Sequence, residues 1–342
     1  MKNKVTINDI AKLAGVSKTT VSMVFNNKDQ NISKETREKI LQIAKELNYI
    51  PNSIARSLVT NKSYSIGVIL PDITNPFFSE IVRAIEDEAN RLGYNIVVCN
   101  TDNDVKKEEQ YVRMLISKLI DGIIFIASGH SKKALDLIKH KNIPFVLVDR
   151  SIKAYEEHYG VFCKNKEGVI KGIEYLYSLG KRKIVFVRGP EYLDTAYQRF
   201  VGYKYIMKQL GLFSNQLVFK GDFTLEGGKV VTEQIITTLK DFDAIFFSND
   251  IMAIGGIKVL LRKGYKIPDD VSVVGFDNVK YAEFIEPELT TIAQPIYEMG
   301  STACKLLVNI LNGVEVENKK VYFEPTLIVR ATTERTSCTT SK

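Results

Sequence analysis

The 342-residue chain predicts an α/β protein in which an all-α head precedes two lobes, each doubly wound on a parallel sheet. Three observations carry that expectation. From Ser65 onward, short β-branched runs alternate with amphipathic stretches of about 12–16 residues, the pattern of strands joined by crossover helices. Residues 1–50 show helical periodicity instead. The charge is also divided: residues 1–62 hold eleven Lys or Arg against five Asp or Glu, which leaves 36 against 35 for the remainder, so nearly all of the net +7 sits in the head.

The head reads as three short helices. Thr6-Ile-Asn-Asp9 sets a capping hydroxyl three residues before a carboxylate, and Ile10, Leu13 and Ala14 then recur at helical spacing until Gly15 breaks the run. Ser17 can cap a second helix reaching about Asn26. Ser33-x-x-Thr36 opens a third that carries Ile40, Leu41, Ile43, Ala44 and Leu47 before Pro51 stops it. A compact basic head with apolar periodicity is the footprint of a nucleic-acid-binding module; a merely solubilising tail would lack the periodicity.

In the body the strand-like runs are Ile66–Leu70, Asn95–Asn100, Gly122–Ala127, Pro144–Asp149, Lys183–Arg188, Leu217–Gly221, Ala244–Phe247 and Val271–Phe276. Phe78–Leu92 and Asp250–Arg262 are among the helical stretches between them. So many repeats divide naturally into two lobes, with the break expected after Asp149, where Ser151–Tyr159 is polar and irregular. Ligands in such folds bind beyond the carboxyl ends of strands.

Composition excludes several classes. Hydrophobic residues at 45% and charged residues at 25% are globular averages. The longest apolar runs, Gly122–Ala127 and Ile143–Val148, fall far short of the ~20 residues a membrane helix needs. Met1–Thr6 leads into a charged amphipathic segment rather than a secretory apolar run, so the expected location is the cytoplasm. Cys99, Cys163, Cys304 and Cys338 have no paired spacing and read as structural filler. His130, His140 and His158 form no metal spacing, and neither a nucleophile elbow nor a phosphate loop is found; no cofactor, metal or catalysis is expected.

On a helical wheel, Thr20, Val21, Val24 and Phe25 of the second helix fall on one side, while Lys18, Thr19, Ser22 and Asn26 cluster within about 100° on the other, with Met23 at that cluster's edge. Such a short, polar face without carboxylates can enter a major groove.

These residues converge on a known pattern. Val5-Thr-Ile-Asn-Asp-Ile-Ala-Lys-Leu-Ala-Gly-Val-Ser-Lys-Thr-Thr-Val-Ser-Met-Val-Phe-Asn26 resembles the helix-turn-helix of the lac repressor (LacI/GalR) family, and the resemblance continues through Ser33-Lys-Glu-Thr-Arg37 and Leu47-Asn-Tyr-Ile-Pro-Asn52 to Ala55-Arg-Ser-Leu58. It implies that Thr6, Ser17, Thr20, Ser22, Asn26, Ser33 and Thr36 contact phosphates or support the recognition helix, that Lys18 and Thr19 hold the main specificity positions, and that Tyr49 and Asn52 join the DNA-contacting set. Where the family usually has an arginine this chain has Met23, whose thioether cannot pair bidentately with guanine and suits a thymine methyl. Asn52–Leu58 resembles the family's hinge helix, with Ala55 packing closely and Leu58 as a minor-groove wedge.

The resemblance covers the body as well, through Ile66-Gly-Val-Ile-Leu-Pro-Asp-Ile-Thr-Asn-Pro-Phe-Phe78, Asn249-Asp-Ile-Met-Ala253, Val274-Gly-Phe-Asp-Asn278, the crossover-like Pro287-Glu-Leu-Thr-Thr-Ile-Ala-Gln-Pro295 and Leu327-Ile-Val-Arg330. The fold it implies is that of type I periplasmic sugar-binding proteins with an effector in the cleft. The expected divisions are 1–50 for the head, 51–62 for hinge and linker, 63–160 with about 292–320 for the first lobe, 161–291 with about 321–335 for the second, and 336–342 as a tail.

The chemistry of the cleft can also be read directly. Asp72, Asp149, Arg199, Asn249, Asp250 and Asp277 lie at strand ends or a helix start, where such groups can grip vicinal hydroxyls, and Phe77, Phe78 and Phe223 can cover an apolar sugar face. Asp250 reads equally as a helix cap, and one phenylalanine of the pair as core. By resemblance, Arg199 and Asp277 are the most regular ligand contacts, followed by Asp149, Thr195, Phe223, Asn249 and Gln294. Lys164-Asn165 departs from a common Asp-Asn, which opens a role in lobe closure or toward an acidic effector; Lys181 replaces a common histidine. The function implied is a homodimeric repressor on palindromic operator DNA, controlled by a small molecule of carbohydrate type. An extracytoplasmic sugar carrier would share the body and have no use for the head.

Overall fold

The computed structural model describes residues 5–26, 29–50, 62–155 and 157–334. Asn52, Ala55, Leu58 and Cys338, together with most of the expected hinge and tail, lie outside the described residues. The chain divides into two compact units, Met1–Ser63 and Tyr64–Lys342.

The first unit is helical: α1 (Ile7–Ala14), α2 (Lys18–Phe25) and α3 (Lys34–Glu46). Each start carries the anticipated cap. The Asp9 carboxylate accepts from the Thr6 amide at 2.8 Å and its hydroxyl at 2.7 Å, and these bonds hold its pKa below the usual carboxylate value. Ser17 accepts from the Thr20 amide and Ser33 from the Thr36 amide. Gly15 ends α1 at φ +73°, a conformation glycine adopts without strain. Ile10, Ala11, Ala14, Val21, Val24, Ile40 and Ala44 form the core between the helices.

The second unit contains two six-stranded sheets. The first has the order β11 (Lys320–Phe323), β5 (Gly160–Cys163), β4 (Phe145–Val148), β3 (Gly122–Phe125), β1 (Ser65–Leu70), β2 (Asn95–Asn100), with every neighbour pair parallel. The second runs β12 (Thr326–Ile328), β10 (Thr290–Ala293), β9 (Ser272–Asp277), β8 (Ala244–Phe247), β6 (Ile184–Arg188), β7 (Val218–Lys220), parallel except for the β10–β12 pair.

Both faces of each sheet are buried, which is why the strands read as continuous apolar runs. In β1, Ile66, Val68 and Leu70 join the core shared with α4 (Pro76–Arg91) and α11 (Ile296–Leu311), whereas Ile69 faces α5 (Val105–Ser117) and α6 (Lys132–His140). In the second lobe, Val185, Val187, Ile245 and Phe247 face the layer of α9 (Leu225–Thr238) and α10 (Asp250–Arg262); Ile184, Phe186 and Phe246 face α7 (Asn165–Ser178) and α8 (Asp194–Gln209).

Three crossings join the lobes, and they correct the expected boundaries. The irregular segment after Asp149 does not leave the first lobe: the chain returns as β5, which lies wholly in the first sheet, so the first crossing follows Cys163 rather than residue 160. The second follows Ala293, after which α11 packs on α4, and the third falls between Phe323 and Thr326, so β11 belongs to the first lobe although residues 321–335 were expected in the second.

Close packing of α9 on α10 depends on Gly228, where an added Cβ would lie 2.2 Å from the Met252 carbonyl oxygen. Because that neighbour is backbone, Gly228→Ala is expected to lower stability by about 1–3 kcal/mol, measured by urea unfolding.

Candidate functional site: an exposed helix face and an interlobe cleft

On α2 the packing face and the polar face fall as the wheel requires. Val21 and Val24 are buried, Lys18, Thr19 and Met23 are exposed, and Ser22 and Asn26 are half-buried. The Asn26 amide donates to the Ser22 carbonyl at 2.8 Å and its hydroxyl at 3.2 Å, which fixes the end of that face. Tyr49 packs its ring on Phe25, with centroids 5.5 Å apart, and so helps to hold α2 on α3.

In the second unit a cavity of about 140 Å³ opens between the lobes beyond the carboxyl ends of the strands. Asp72, Phe77, Phe78 and Asp149 line it from the first lobe; Thr195, Arg199, Phe223, Asn249 and Asp277 line it from the second. Two expected members do not line it. Gln294 stands behind Asp277, donating to its Oδ1 at 2.8 Å. Asp250 is turned into the second lobe, where its carboxyl accepts from the Val279 amide at 2.8 Å and the Thr291 hydroxyl at 2.6 Å. Its position at a helix start suggested a ligand group; in three dimensions it anchors the turn that carries Asp277. Burial, and the nearby Asp277, raise its pKa well above the usual value.

Arg199 is the centre of the second lobe's wall. Its Nε donates to Asn165 Oδ1 at 2.7 Å, Nη1 to the Ser248 carbonyl, and Nη2 to Asp277 Oδ1 at 3.3 Å, while its guanidinium lies 3.8 Å from the Phe276 ring centroid. Despite these donors, burial pushes Asp277 up to about 7. On the first lobe's wall, Asp149 and Arg150 are both buried and their Oδ2 and Nε atoms are 3.6 Å apart; burial raises the Asp149 pKa and lowers that of Arg150. Asn249 caps α10 through the Met252 amide and donates to the Phe223 carbonyl, while the Phe223 ring lies where a Cβ on Gly189 would be.

The sequence reading missed Arg150, Asn75, Asn103, Tyr192, Asp222 and Thr224, all of which line the cavity. A signal existed for some of them. Arg150 directly follows Asp149, and Asp222-x-Thr224 repeats Asp72-x-Thr74: in both, the aspartate accepts from the threonine amide at 2.9 Å and from its hydroxyl. Lys164 lies outside the cavity lining and pairs with Glu324 on the exposed surface, which corrects its expected role toward an acidic effector. Cys99, Cys163 and Cys304 are buried, and burial pushes their thiols up to about 11, 12 and 12. No helix among the described residues is long and apolar enough to cross a membrane.

A basic helix-turn-helix unit followed by a two-lobed unit with a polar cleft defines a DNA-binding regulator that responds to a small molecule. The chain belongs to the bacterial regulatory proteins of the lacI family. The model of that family matches residues 6–52, and that of the periplasmic binding protein-like domain matches residues 173–333. The chain is 38% identical to the ribose operon repressor of Halalkalibacterium halodurans over 96% of its own length and 97% of that protein's. The lac repressor dimer bound to operator and the anti-inducer ONPF superposes with a TM-score of 0.88 at 28% identity, covering 97% of this chain and 99% of that one. A LacI family regulator from Enterococcus faecium with bound ribose gives 0.72 at 30% identity, over 79% of this chain and 98% of that one.

If Asp250 is an anchor rather than a ligand group, Asp250→Ala strands the Val279 amide and the Thr291 hydroxyl. A loss of about 1–3 kcal/mol is expected, read by urea unfolding without added ligand; an unchanged midpoint would contradict the assignment.

Proposed function

We propose that this protein is a cytoplasmic repressor that acts as a homodimer on a palindromic operator, and that a neutral aldopentose, ribose first among them, sets its operator affinity by binding in the cleft. One observation carries the reading. Asp149, Arg150, Arg199 and Asp277 are at most 5% exposed and face one small cavity from opposite lobes, and Asp149 Oδ1 and Arg150 Nε have no hydrogen-bond partner among the described residues. Buried groups of this kind suit a polyhydroxylated partner, which both donates and accepts. Carboxyls and guanidiniums are balanced among the four, and Asp72 and Asp222 add acidity at the lining, which disfavours a phosphate or acidic sugar. Phe77, Phe78 and Phe223 supply apolar faces for a ring. The relatives named for ribose support that sugar as the first candidate, and the relatives named as repressors support binding rather than turnover as the task of the site.

In the head, Lys18 and Thr19 are the proposed base readers, with Met23 against a thymine methyl; Thr6, Ser17, Thr20, Ser22, Asn26, Ser33, Thr36 and Tyr49 position the helix or meet phosphates. Excess positive charge in this unit makes operator binding steeply salt-dependent.

Titration calorimetry with ribose, ribose 5-phosphate and glucose tests the effector. Ribose binding is expected, with weaker or no binding of the phosphate, and Arg199→Ala should cost about 1.5–3 kcal/mol, at least tenfold in Kd. A parent protein that ignores ribose yet binds the phosphate tightly would overturn the reading.

The pH dependence has a definite sign. Between its unfolded value near 3.8 and its folded value of about 7, Asp277 retains a proton in the folded chain that the unfolded chain has released, so its contribution to stability falls as pH rises through that window. Arg199 and Gln294 donate to its carboxyl, and sugar hydroxyls would add donors, which favours the ionised form. Ribose affinity should therefore rise from about pH 6 to about pH 8 with proton release, measured by calorimetry in buffers of different ionisation enthalpy.

A further inference from the structure

One buried acid takes no part in the cleft as described. Glu108 on α5 is fully buried, and among the described residues it forms no ion pair. Its Oε1 accepts from the Ser128 amide at 2.8 Å and the Ser131 hydroxyl at 2.9 Å. A carboxyl in this position is unfavourable compared with an apolar side chain unless it does something the apolar one cannot. What it does is to hold both ends of the turn that follows β3.

That turn reaches the cleft twice. The Ala127 carbonyl accepts from Arg150 Nη1 at 2.8 Å, fixing a guanidinium that also lies beside the Asp149 carboxyl and 5.3 Å from the centre of the Phe78 ring. Further along, a Cβ on Gly129 would come within 2.7 Å of the Tyr192 ring and 3.0 Å of Leu193, and Gly129 has φ +111°, so the position excludes a side chain on two counts. The His130 ring stacks on Tyr192 with centroids 5.1 Å apart and planes 28° from parallel. Tyr192 and Leu193 precede α8 in the second lobe and line the cavity. Beside this contact, the Ser151 hydroxyl donates across the cleft to Asp194 Oδ2 at 2.6 Å.

We propose that Glu108 is a positioning residue for effector binding: it holds residues 127–131 as a latch that aims Arg150 and seats Gly129 and His130 against Tyr192 of the opposite lobe. Its effect on affinity rests on the effector reading above; the latch itself does not. A single buried acceptor thereby serves the guanidinium on one wall and the lobe-to-lobe contact at the mouth.

Amide hydrogen exchange on the full chain without added sugar reads the latch directly. Glu108→Ala should speed exchange at least tenfold, roughly, in peptides covering residues 126–131 and 190–195, whereas Glu108→Gln, whose amide oxygen still accepts both bonds although its NH2 takes the place of the buried, partnerless Oε2, should exchange clearly more slowly than the alanine variant. His130→Ala should speed exchange in residues 190–195 alone. In ribose calorimetry Glu108→Ala should raise Kd roughly tenfold and Glu108→Gln by less than about threefold. Parent-like exchange at residues 190–195 in Glu108→Ala, or a glutamine variant no better than the alanine one, overturns the proposal. Should Glu108→Ala fail to fold, Ser131→Ala, which removes one of the two bonds, carries the same measurement, with faster exchange expected in both peptides and parent-like exchange again overturning it. A parent that does not bind ribose sinks the effector reading, and the exchange rates still decide the latch.

Discussion

The second lobe is organised around the need to keep the Arg199 guanidinium satisfied away from water. A buried charge without partners costs several kcal/mol, and here three structural elements answer it: Asn165 at the start of α7, the Ser248 carbonyl just beyond β8, and Asp277 at the end of β9. The Phe276 ring lies against the guanidinium, and Arg199 also lines the cleft. The same side chain therefore fixes the relative positions of the strand ends and presents a charged donor to whatever enters. Structure and recognition cannot be separated at this residue, because the bonds that make its burial tolerable are the bonds that set its direction.

A second constraint follows at the backbone. Asp149, Phe223 and Asp277 all line the cleft with positive φ, at 64°, 68° and 119°, and for residues with side chains such conformations are held only where the surroundings over-determine them. The surroundings are visible in each case. Asp277 lies between a strand and a turn anchored by Asp250; the Phe223 carbonyl accepts from Asn249 while its ring fills the space left by Gly189. Asp149 is held between the β4–β5 pairing and a buried arginine, its amide donating to the Val161 carbonyl. Bending the chain sharply at the end of a strand turns a side chain that would otherwise lie over the sheet into the space between lobes.

These two constraints explain what could be read in advance. The head was legible because capping residues and apolar spacing are local: Ser17, Ser33 and Gly15 mark their helix ends without reference to anything distant. The central strands were legible because burial on both faces leaves unbroken β-branched runs. The strands missed were β5, β10, β11 and β12, which are at most four residues long and sit beside the crossings. In Thr290–Ala293 the threonines look polar, yet the Thr290 and Thr291 hydroxyls bond to the Arg330 carbonyl and to Asp250, partners remote in sequence. Asp250 was placed in the cleft by residue type and its position at a helix start, and Gln294 by the family resemblance; both signals identify the neighbourhood, while the direction of the side chain is decided by tertiary contacts. Arg150 was the opposite case, a long side chain folded back into the lobe by the Ala127 carbonyl.

The connectivity determines how a cleft ligand can be felt elsewhere. Because the chain crosses between lobes three times, a ligand gripped from both walls favours one lobe arrangement over another only to the extent that its contacts differ between them. Residues 62–64 lead from the head into β1, and at that junction the Tyr64 amide donates to Asp121 at 2.8 Å, its carbonyl accepts from Asn95 at 2.9 Å, and its ring packs on Tyr94 with centroids 5.7 Å apart. The point of attachment is thus fixed to the first lobe by bonds to two neighbouring strand starts. Any reorientation of the first lobe carries it along without the slack of a free terminus. On the cleft wall, Asp149 and Arg150 follow a strand of the same sheet as β1, the strand into which residues 62–64 lead, so contacts made at these two side chains bear on the lobe that holds this junction.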